Sequence, residues 1–176
     1  MNLKVAERGQ VGLSHVSDRP GIVLFEPREA PEINPHRPAR PVVWAISDPL
    51  LHNYLLPRDC PRVTFYALPG SDPADAASLL GQTEARYVVA VESGWLKAIR
   101  RATLYLYELP SEGFEVHDPG AGYYVSERAV EPVGVRKVDD LLAELVARDV
   151  ELRLTPSLWP VRDAVVASTL QFSCIR

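Results

Sequence analysis

His15 and Ser17 stand one residue apart in "LSHVS", a short alternating run that ends at the turn Asp18-Arg19-Pro20-Gly21. On a strand, residues two apart project from the same face, so imidazole and hydroxyl would lie roughly 7 Å apart. Two such groups can hold a ribose hydroxyl and an amide together. Trp44, in "VVWAI", and Tyr54, in "LLHNYLL", add two aromatic faces with nine residues between them. Such a pair could sandwich a flat ring such as nicotinamide.

"LPRDCPR" sets Arg58, Asp59 and Arg62 around a double-proline turn. A guanidinium in a rigid loop suits phosphate, because its fork donates to two oxygens at once. Arg58 is expected to face a cleft, and Arg62 to be structural. "GYYVSERAVEP" carries Glu127 at a strand end. A carboxylate there can stabilise the positive charge that develops when a C–N glycosidic bond breaks. Each residue also has a plain structural use. His15 can be a half-buried histidine, Trp44 and Tyr54 core packing, and Glu127 a solvated carboxylate.

The elements that must position these groups follow from pattern and punctuation. Strands are expected at 42–46, 62–68, 85–93 and 102–110, each rich in β-branched or aromatic residues. "FEVHD" and "GYYVS" flank Pro119-Gly120 and read as a hairpin. "AVEPVGVRKV" is a further extended piece, and "LQFSCI" a last strand. Short helices are expected at 48–56 behind the cap Ser47, at 71–81, at 94–101, and at about 158–169. Another begins at Asp139 or Asp140, with Leu141, Leu142, Leu145 and Val146 as its apolar stripe. Residues 29–41, rich in proline and charge, read as a loop long enough to cover a site. The pattern is α+β, a single domain over residues 1–176, with a mostly antiparallel sheet and short flanking helices.

Composition narrows the function classes. The net charge of −4 lacks the basic footprint of a nucleic-acid binder. No apolar run approaches the ~18 residues that would span a membrane, and residues 1–10 hold no apolar signal core, so a cytoplasmic location is expected. Cys60 and Cys174 have no CxxC or zinc-like spacing, so two reduced thiols and no metal are expected. The phosphate-binding, zinc-protease and nucleophile-elbow motifs do not occur.

Taken in order, H-x-S on an early strand, two aromatics about ten apart and a late strand with glutamate resemble the ADP-ribosyltransferase superfamily. The resemblance implies a split sheet of ADP-ribosyltransferase-like fold and NAD as a substrate. It implies that His15 and Ser17 fix the nicotinamide ribose, Trp44 and Tyr54 stack the ring, and Glu127 supports the reaction centre. Arg58 would hold the pyrophosphate. The chain departs from that pattern in having Trp44 for the first tyrosine and no E-x-E, since Arg128 and Ala129 follow Glu127. "HVSDRPGIVLFEPR", "VVWAISDPLLHNYLLPRDCPRV" and "AGYYVSERAVEP" are also similar to a family of bacterial proteins of unknown function, over most of the chain.

The expected activity is an ADP-ribosyltransferase-like transferase or an NAD glycohydrolase, with a small-molecule nucleotide as partner. The alternative is a non-catalytic nucleotide-binding or interaction protein that kept the fold. A relative of RNA 2′-phosphotransferases would use Arg58 and Arg62 on phosphates, but the acidic charge argues against RNA. The acceptor and the oligomeric state are not legible.

Overall fold

The computed structural model describes residues 11–29 and 38–175. Residues 1–10, and most of the proline-rich segment expected to cover a site, lie outside them. The described chain is mixed α+β, with a six-stranded and a four-stranded sheet and a few short helices. It gathers into two compact units.

The first unit takes residues up to His15, then Gly21–Leu50 and Tyr107–Val135. It holds β2 (Val43–Ser47), β6 (Glu115–Asp118) and β7 (Tyr123–Ser126). Strands β1 (Leu13–Ser17), β5 (Leu104–Leu109) and β8 (Gly134–Val138) each run from one unit into the other. The six-stranded order is β6-β7-β2-β1-β5-β8. Antiparallel registers Leu13↔Ser47 and Val43↔Ser126 fix which side chains share a face. Leu13, Val43, Ala45 and Ser126 lie on one face, all buried. Phe25 and Val130, also buried, are tied by reciprocal backbone hydrogen bonds of 2.8 and 2.9 Å.

The short helix expected at 48–56 is a 3₁₀ helix, Asp48–Tyr54. Its start is committed elsewhere: Ser47 N–H donates to the Gly122 carbonyl and Asp48 N–H to that of Gly12. Ser47 is the last residue of β2 and not a free cap.

The second unit is built on the sheet β10-β3-β4-β9, formed by β3 (Arg62–Tyr66), β4 (Tyr87–Glu92), β9 (Val150–Thr155) and β10 (Gln171–Ile175). Strand β9 went unread in the sequence although Val150, Leu152 and Leu154 alternate with Glu151 and Arg153. It pairs parallel to β4, whereas β3 is antiparallel to both neighbours. One face, Val63, Phe65, Val88 and Ala90, forms the core with Leu158, Val165 and Leu170. Helix α1 (Pro73–Leu79) contributes Ala76 and Leu79 to that core, and α4 (Trp159–Val166) contributes Val161 and Val165. Helix α2 (Leu96–Ile99) buries Ile99.

Helix α3 (Leu141–Ala147) begins at Asp140, whose carboxylate accepts from Ala143 N–H. It ends at Asp149, held at φ 59°, a left-handed residue where glycine is usual. Only Leu141 and Leu145 of the expected stripe are buried, and Val146 is 72 % exposed. Two turns of helix bury one i,i+4 pair and leave the adjoining positions to solvent.

Candidate functional site

His15 lies on the core face of the six-stranded sheet, since it follows Leu13 by two. Its Nδ1 is 2.9 Å from the Trp44 carbonyl oxygen. A carbonyl only accepts, so Nδ1 carries the proton of this bond. The ring also packs on Phe25, centroid to centroid 4.7 Å, and Phe25 meets Tyr107 edge-on at 5.3 Å.

Trp44 pairs with Val125 and therefore projects from the other face. There its indole meets His117 edge-on at 5.1 Å and Tyr123 edge-on at 5.6 Å. All three rings are half-buried. The structure thus sets the His15 ring against the backbone carbonyl of Trp44 and sends the two side chains to opposite faces. His117 and Tyr123 were not singled out in the sequence. Tyr123 carried a signal, because it sits in the same hairpin strand as the segment that leads to Glu127.

Glu127 follows directly on β7 in a short segment anchored at both ends. On one side the buried Ser126 hydroxyl accepts from Arg128 N–H at 3.2 Å and donates to the Arg128 carbonyl at 3.3 Å. On the other, Val130 is tied to Phe25. Between these anchors Glu127, Arg128 and Ala129 are exposed. The Glu127 carboxylate accepts from Arg40 Nη1, at 3.1 Å to Oε2 and 3.5 Å to Oε1. The backbone of Arg40 is held two residues on, where Val42 and Arg28 exchange two hydrogen bonds of 3.0 Å.

Ser17, Tyr54 and Arg58 belong to the second unit. The Ser17 hydroxyl accepts from Arg19 N–H at 3.1 Å, which closes the turn after β1. Tyr54 lies under the Arg62 guanidinium, 5.9 Å from its ring centroid. Arg58 and Asp59 are exposed at the tip of the proline turn. Arg62 is buried, and two backbone carbonyls accept from its guanidinium. It is 3 % exposed and donates through Nη1 to Pro57 and Cys60 carbonyls at 3.1 and 2.9 Å. Burial pushes the Cys60 thiol up to about 11, with Arg62 opposing and Glu92 adding to the shift. It is no nucleophile at neutral pH.

One group of residues escaped the sequence reading. His52, Asn53 and Thr64 are buried polar side chains, the first two in the 3₁₀ helix and the third on β3 with Arg62. The His52 ring stacks at 4.1 Å on Tyr87, which meets Tyr66 edge-on at 4.9 Å. Asn53 Oδ1 and Thr64 Oγ1 have no hydrogen-bond partner among the described residues. The signal was present as two polar residues inside the apolar run "LLHNYLL".

Among the described residues no group of three His, Cys, Asp or Glu side chains gathers to hold a metal ion. No helix among them is long and apolar enough to cross a membrane. No curated protein and no solved structure matches the chain. A family model described as a family of unknown function, DUF6886, matches residues 14–176. The chain belongs to that family.

Proposed function

We propose that the protein handles NAD or an ADP-ribosyl derivative and breaks the glycosidic bond to nicotinamide, as the resemblance to ADP-ribosyltransferases implies. The observation that carries the reading is the display of Glu127, held out between the Ser126 lock and the Phe25–Val130 tie. A carboxylate on a fixed backbone needs little reorganisation to meet developing positive charge. Trp44, half-buried on β2 beside β7, supplies an aromatic face for the planar base. His15 acts in this reading through its bond to the Trp44 carbonyl, holding the backbone of β2 beneath that base. Its own ring faces the core. Ser17, Tyr54 and Arg58 keep the ribose, ring and pyrophosphate roles of the resemblance only as expectations.

A second reading, a nucleotide-binding or interaction protein without catalysis, draws on the Arg40–Glu127 pair. A carboxylate that already shares its charge with a guanidinium is a weaker partner for a cationic centre. Incubation with NAD and measurement of free nicotinamide tests the first reading. A thermal shift with NAD or ADP-ribose, without nicotinamide release, selects the second, since a ligand at a hundredfold its Kd adds about 2.7 kcal/mol.

A further inference from the structure

We propose that Arg40 makes this site selective for substrates that carry a phosphate, and that the phosphate frees Glu127 for its task. The inference rests on the proposed function and goes beyond it by naming the substrate class and the residue that selects it.

Arg40 reaches both oxygens of Glu127 through the single nitrogen Nη1. The contact is end-on rather than the two-pronged fork that an arginine forms with a carboxylate it serves permanently. Nε and Nη2 have no hydrogen-bond partner among the described residues. The side chains are 74 % and 59 % exposed, so water competes for both and neither is committed by burial. The backbones on both sides are fixed, by the Arg28–Val42 bridge near Arg40 and by the Ser126 lock at Glu127. The pair is therefore a stable juxtaposition of two charges with spare donors on the cation.

That juxtaposition has a chemical consequence. A guanidinium beside the carboxylate opposes the cation that forms at the anomeric carbon, and the carboxylate alone would stabilise it better. The opposition is removed when an anion takes up the Arg40 charge. In NAD and ADP-ribosyl compounds the pyrophosphate is attached through one methylene to the same ribose, so one substrate presents both groups. Phosphate oxygens accept from Nε and Nη2 in the planar geometry that suits arginine. A nucleoside without phosphate leaves Arg40 on Glu127 and is a poor substrate. Arg40 is thus a specificity-determining residue.

The test compares wild type with Arg40→Gln, using ADP-ribose and the unphosphorylated nicotinamide riboside as calorimetric titrants, and measures nicotinamide release from NAD and from the riboside separately. Arg40→Gln should bind ADP-ribose at least tenfold more weakly and the riboside unchanged. The ratio of kcat/KM for NAD over the riboside should fall at least tenfold. Equal ADP-ribose affinity in wild type and variant overturns the role of Arg40 and leaves the proposed function standing. Equal losses for both titrants overturn it too, because the effect is then not on phosphate. ADP-ribose binding that depends on Arg40, with no nicotinamide from NAD, supports the phosphate contact and overturns the catalytic reading. Binding of neither titrant by wild type overturns both. A melting temperature unchanged by the substitution excludes misfolding, as the exposure of the pair leads one to expect.

Discussion

The imidazole of His15 and the indole of Trp44 leave neighbouring strands on opposite faces, yet His15 Nδ1 sits 2.9 Å from the Trp44 carbonyl. The contact is to the backbone and does not depend on the tryptophan ring. His15 should accordingly be the Nδ1-protonated tautomer when neutral. Trp44→Leu should leave that tautomer unchanged while weakening binding of a planar base. Nitrogen-15 spectra of the imidazole in both proteins check this. A tautomer change in Trp44→Leu would mean that the indole, not the strand, orients His15.

Glu127→Gln preserves size and a hydrogen-bonding group but removes the charge. If Glu127 stabilises the transition state, turnover of NAD should fall on the order of a hundredfold with little change in KM. Glu131 is exposed and followed by Pro132, and Glu131→Gln should behave as wild type. Free nicotinamide measured for all three proteins decides, and equal rates would remove Glu127 from the mechanism.

Arg58 and Arg62 should separate cleanly. Arg62→Ala leaves the Pro57 and Cys60 carbonyls without their buried donor and should cost about 3 kcal/mol in a urea titration. Arg58→Ala removes an exposed side chain and should shift stability by less than about 0.5 kcal/mol. A large loss from Arg58→Ala would assign it to the scaffold.

The thiols should differ in reactivity. With the Cys60 thiol raised to about 11 by burial, only about one molecule in a thousand carries thiolate there at pH 8. Cys174 is exposed. An aromatic disulfide reagent should modify one thiol in the native protein and the second only in denaturant. Rapid native modification of both would contradict the buried placement of Cys60.

Acid should act on α3 through Glu144. Its carboxyl is held below its ordinary value of 4.5 by hydrogen bonds from Arg136 first and Arg148 second, against desolvation. A group whose folded pKa is depressed contributes stability above its unfolded value, and that contribution is lost as pH falls through the folded one. Glu144→Gln should therefore cost about 1 kcal/mol at pH 7 and much less at pH 3. Denaturation midpoints at the two pH values measure the difference, and a gap that persists at pH 3 would assign the loss to packing.

Local pattern determined a good part of this protein. The runs rich in β-branched and aromatic residues at 43–47, 62–66, 87–92 and 104–109 are strands, because such side chains fit the pleated surface of a sheet. Asp140 caps α3, because a carboxylate there can reach the orphan N–H groups of the first turn. Glu127 at the end of a hairpin strand was legible for the same reason: Pro119-Gly120 lies within the turn between β6 and β7. The face shared by each candidate residue was not. His15 and Ser17 alternate in phase within β1. Whether Trp44 joins them depends on the register Leu13↔Ser47 across a connection of many residues, and a slip by one would reverse it. Long connections leave register to the packing of the whole sheet, and the six-stranded sheet turned Trp44 toward Tyr123 and His117 instead. Arg40 was likewise invisible as a partner of Glu127, since the two are 87 residues apart and no local rule relates them. Only the pairing of β2 with β7 brings those two charges together.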